Sequence, residues 1–171
     1  MSKKEKWVMG ALVAALVTVG FVSPAAAGEA PTPENWAPLI AKIIMGLSLS
    51  LGLAGSAVGL SISFSALLGG GKEYFYKNII LAMMPSLHGI YAIVVFFANI
   101  NQINTNPYAV AGKAGIFGIA MFLCAWYQGI VSAAGIWGIV EGKNTMANGL
   151  VSGAMPETYA VFALVMTFVL K

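Results

Sequence analysis

The chain has 171 residues, 59% of them hydrophobic and only 9% charged, against roughly 25% charged residues in an ordinary soluble domain. It contains no Arg and no Asp, and its net charge of +3 comes without any basic patch interleaved with aromatics, which excludes nucleic acid as a partner. This is the composition of a helical integral membrane protein. The lone Cys124 lies inside an apolar run, so neither a disulfide framework nor a cysteine metal site can form within one chain.

Residues 1–27 read as a secretory signal peptide, with a retained fifth helix as the alternative. Lys3, Lys4 and Lys6 supply the positive start, Trp7 to Val22 the apolar core, and Ala25-Ala26-Ala27 a small-residue cleavage site. The Pro- and acid-rich lead-in that follows, residues 28–38, is expected outside the cytoplasm. Four apolar spans come next, at about 39–68, 78–98, 114–140 and 149–170, each long enough for a bilayer crossing of roughly 20 residues. Short turns carrying Lys72 and Lys77, and then Lys143, join spans one to two and three to four as antiparallel hairpins (39–98 and 114–171). A looser loop, 99–113, lies between the hairpins. The turn lysines place both turns in the cytoplasm and the mature termini outside, as a cleaved leader would.

The two hairpins are copies. A shift of 71 positions sets Met84-Pro85 on Met155-Pro156, Gly71-Lys72 on Gly142-Lys143 and Ser61 on Ser132. The same register sets Ser86 on Glu157 and Ala57 on Gln128, so only the second copy can ionise. Spans one and three are rich in Gly and Ser, and spans two and four carry bulkier residues such as Phe97 and Phe168. Small residues let helix backbones approach in lipid, so the first pair is expected on a crowded inner surface and the second pair outside.

Glu157 sits near the middle of the fourth span, where a carboxylate costs a few kcal/mol or more and so marks a functional site. Pro156 beside it removes an amide hydrogen and frees the carbonyl of Ser152; Pro85 does the same to Leu81 in the first hairpin. Gln128 lies nearly equidistant from the shared turn and is expected at the depth of Glu157. An amide suits a partner that exists both as acid and as carboxylate. Tyr91, on span two, can reach with its hydroxyl. His88 is a further candidate, although a satisfied polar residue at a helix contact is its simpler reading. Trp126 and Trp137 read as packing or interface residues. No phosphate loop, nucleophile with its base, or metal-ligand cluster occurs, so the chain is expected to do no covalent chemistry alone and to need no cofactor.

Pro156-Glu157-Thr158-Tyr159, the sequence YQGIVSAAG around Gln128, and PSLHGIY with Pro85, Gly89 and Tyr91 together resemble the proteolipid of the rotor ring (the K or c subunit) of bacterial and archaeal V/A-type rotary ATPases. The resemblance runs from about Ala37 to the C-terminus. It implies a ring of about ten identical subunits, with small-residue helices inside and acid-bearing helices outside. Glu157 would take an ion from one half-channel, cross the lipid face neutralised, and release the ion beside an arginine of a stator subunit. A central stalk would couple rotation to ATP turnover on other subunits, with membrane lipid as the remaining partner. Sodium-binding members have the acid, Gln and Tyr found here at Glu157, Gln128 and Tyr91. They also have a Thr-Gln pair where this chain has Leu87-His88, which favours a proton and leaves sodium open. The competing reading is a small four-span cation/proton antiporter that uses Glu157.

Overall fold

In hydrocarbon a backbone amide finds no water, so a long uncharged stretch bonds its own carbonyls and becomes helix. The computed structural model describes residues 36–170. The leader and most of the lead-in expected before them lie outside the described residues. The order is α1 (Trp36–Gly69), α2 (Lys72–Met83), a 3-10 turn at Met84–Ser86, α3 (Leu87–Asn99), a second 3-10 turn at Ile100–Gln102, α4 (Pro107–Val140) and α5 (Met146–Val169). With α2 and α3 acting as one span, Lys72–Gln102, four spans are long and apolar enough to cross a membrane. Among the described residues the protein is all-helical, and its four apolar spans make it a multi-pass membrane protein.

The helices run further than the apolar pattern indicates, and the connections shrink to match. The loop expected over 99–113 is largely helical, because Pro107 opens α4 at a position where its missing N–H leaves nothing unbonded. Gly71 and Gly142, equivalent in the repeat, are the only described residues with positive φ, at 85° and 70°. That backbone conformation favours glycine and lets each hairpin turn tightly. Thr145 caps α5 by accepting from the Asn148 amide at 3.3 Å. The two prolines behave differently: Pro85 falls in the 3-10 turn that interrupts span two, while α5 runs unbroken through Pro156.

The inner pair is α1 with α4, running parallel. A Cβ on Gly129 would fall on the Gly59 backbone, and one on Gly118 would lie 2.6 Å from the Ser48 Cα. Each hairpin then closes on itself, Gly52 against Ala92 and Gly135 against Gly149. The hairpins also meet across their outer helices, since Leu81 and Met84 of span two reach Gly153 of α5. Apolar layers hold this arrangement on both sides of the middle. One, toward the turns, contains Leu67, Leu81, Ala82 and Ile136; the other contains Ala92, Val95, Phe117, Met121 and Ala160.

Candidate functional site

Between those layers lies a polar level built from three helices. Glu157 projects from α5 and its side chain is only 15% exposed. Tyr91 of α3 donates its hydroxyl to Oε1 at 2.6 Å. Gln128 of α4 donates Nε2 to Oε2 at 2.9 Å and also to the Gly153 carbonyl at 2.9 Å. Bonds from neutral donors to a charged carboxylate contribute about 1.5–3 kcal/mol each. The residues come together because α4 and α5 leave one turn at equal distances, and because α3 of the first hairpin packs over α5 of the second.

His88 is brought to the same level but not satisfied there. It is fully buried, neither ring nitrogen has a hydrogen-bond partner among the described residues, and Nδ1 lies 3.9 Å from Glu157 Oε2. The simpler reading, a satisfied polar residue at a helix contact, would need the Pro85 carbonyl, which lies near the ring but outside hydrogen-bond geometry. Gly89, the neighbour of His88, faces Ser56, whose hydroxyl is buried and unpartnered as well.

The carbonyl that is captured is also not the expected one. Pro156 frees Ser152, but Ser152 is exposed in an open groove beside α4, and its own hydroxyl donates back to the Asn148 carbonyl. Gly153 is the residue that faces α4. In the first hairpin Ser63 donates to the Ala82 carbonyl at 2.7 Å, and the repeat register equates Ala82 with Gly153. Both inner helices thus hold the carbonyl three residues before the proline, one through a serine and the other through Gln128. Ser63 was hidden in the sequence among the other serines of α1. At the position equivalent to Glu157, Ser86 merely bonds the Met83 carbonyl at 2.7 Å. Trp126 and Trp137 are 42% and 43% exposed and take no part in the level.

Among the described residues no lysine pairs with Glu157. A carboxyl with two donors, no counter-ion and cover from both hairpins can hold a charge for a time, or exchange it for a proton or small cation.

The family described as the C subunit of ATP synthase matches residues 112–170. An A-type ATP synthase subunit K from Methanocaldococcus jannaschii is 31% identical over 137 residues, which are 71% of this chain and 59% of that protein. The chain thus spans less than two thirds of that relative's length. A V-type sodium ATPase subunit K from Enterococcus hirae is 28% identical over 152 residues, 80% of this chain and 93% of that one.

Proposed function

We propose that this chain, which matches the family of ATP synthase C subunits over residues 112–170 and is similar to V/A-type K subunits over 71–80% of its length, is the ion-carrying rotor-ring subunit of a V/A-type rotary ATPase. Glu157 takes a proton or sodium ion in mid-membrane, and rotation of the ring moves it between two half-channels. The observation that carries this reading is a single carboxyl at the junction of two duplicated hairpins, with Tyr91 and Gln128 donating to its two oxygens. A bare carboxylate is costly in hydrocarbon, so Glu157 crosses the lipid face neutralised and ionises only where a stator arginine or water meets it. ATP turnover belongs to other subunits, reached through a central stalk.

Ring closure is supported by an asymmetry between equivalent surfaces. Leu123, Tyr127, Met155 and Tyr159 line a groove of about 330 Å3 on α4 and α5, and are 45%, 61%, 60% and 68% exposed. The repeat register equates them with Gly52, Ser56, Met84 and His88 of the first hairpin, of which only Met84 escapes full burial, and Met84 and His88 face α5. Inside the chain Met84 and His88 are covered by α5, and Gly52 and Ser56 by α3 of their own hairpin, whereas the equivalent positions on the second hairpin are left open. A following copy that covers them repeats a head-to-tail contact, and such contacts close into a ring when the rotation fits. The lysines at the turns, Lys72, Lys77 and Lys143, orient the turns to the cytoplasm and the termini outward.

An antiporter that uses Glu157 would require neither a duplicated hairpin with one copy silenced nor such a contact. The test is Glu157→Gln in the assembled complex. ATP-driven ion transport is lost while the mass of the detergent-solubilised ring is unchanged; transport that persists overturns the assignment.

A further inference from the structure

We propose that the site at Glu157 is built to take a proton and to refuse sodium, with Gln128 pinned as a donor and His88 placed to accept from the loaded carboxyl. The inference rests on the rotor-ring reading and names the ion which that reading leaves open.

Sodium is a hard cation and needs about six oxygen ligands, as hard cations generally do. Three side-chain oxygens converge here, Oε1 and Oε2 of Glu157 and the hydroxyl of Tyr91. Gln128 would be the obvious fourth donor of oxygen, but its amide points the other way. Nε2 serves Glu157 Oε2 and the Gly153 carbonyl together. A carbonyl can only accept, so turning the amide over would set two oxygens against each other with no hydrogen between them. The Gly153 carbonyl therefore fixes Gln128 with its N–H toward the ion position, an arrangement that repels a metal cation. His88 contributes nitrogen only.

The same arrangement offers a proton what it needs. A loaded carboxyl keeps its lone-pair contacts and needs one acceptor for its new O–H. His88 Nδ1 is buried, unpartnered and 3.9 Å from Oε2. A small turn of the carboxyl closes that gap to hydrogen-bond length, and such bonds are often long until the reacting form is present. A neutral imidazole accepts at one nitrogen, which leaves the acid uncharged as it faces lipid.

Two measurements on the assembled complex test this. A carbodiimide modifies Glu157 in its acid form, and the labelling rate at fixed pH is compared in sodium chloride and choline chloride. A rate changed by less than about twofold up to the highest sodium used is expected, whereas a slowing of about tenfold, the signature of a competing bound ion, overturns the proton assignment. The second is infrared difference spectroscopy of the acid carbonyl, assigned by its absence in Glu157→Gln. His88→Leu, or His88→Phe where the first does not assemble, raises the carbonyl frequency as the acid loses its acceptor; an unmoved band overturns the role of His88. If Glu157→Gln still transports, the rotor reading has failed; if that variant is inactive while sodium protects the wild-type complex, only the ion assignment has.

Discussion

Glu157 holds its charged form through two donors that differ in what else they do. Tyr91 offers one hydrogen bond and stands partly exposed, so Tyr91→Phe removes about 1.5–3 kcal/mol from the ionised state and nothing else. Gln128→Leu removes a bond of the same kind and also the second bond to the Gly153 carbonyl, a further loss of about 0.5–1.5 kcal/mol. ATP-driven transport should therefore slow in both variants and more in Gln128→Leu, whose solubilised assembly should also melt at lower temperature. Equal melting temperatures would mean that the Gly153 bond contributes nothing. At this scale the acid, the amide and the phenol were legible, because the repeat and the distance from the turn set their depth. The captured carbonyl was not: proline indicates Ser152, but rotation about the α5 axis turns Gly153 to the neighbour, and sequence spacing does not carry that rotation.

The elements meet where side chains are absent. Gly129 has no room for a Cβ against the Gly59 backbone, whereas nothing lies within 4 Å of one built on Gly46. Gly129→Ala should cost several kcal/mol, about as much as a badly overpacked core position, or prevent assembly. Gly46→Ala should be neutral or stabilise its helix by up to about 1 kcal/mol. Thermal unfolding of the two solubilised variants checks the contrast, and similar midpoints would contradict the close packing of α1 on α4. The Gly- and Ser-rich texture of spans one and three announced that pairing. The lengths of the helices were less legible, because polar ends such as Lys72–Lys77 and Pro107–Lys113 read as loop although they continue the helical hydrogen bonding. Likewise the aligned prolines looked equivalent, yet one sits in a 3-10 turn and the other inside α5. That difference depends on what packs against each proline, as Pro85 does against Gly59.

For the molecule as a whole, duplication explains both the shape and the economy of charge. Two hairpins of one design pack in parallel, and only the second has a carboxyl in the middle of a span. In the proposed ring there would be half as many ion sites as hairpins, and every site would have to pass the stator for the ring to turn. That dependence separates a rotor from independent carriers. The decisive measurement is ATP-driven transport by the assembled complex as a carbodiimide is titrated onto Glu157. In a ring of about ten copies, one blocked protomer stops the whole, so random labelling of about a tenth of the chains should cut transport to about a third, and of about a fifth to about a tenth. A loss of transport in direct proportion to the fraction modified would contradict the rotary account.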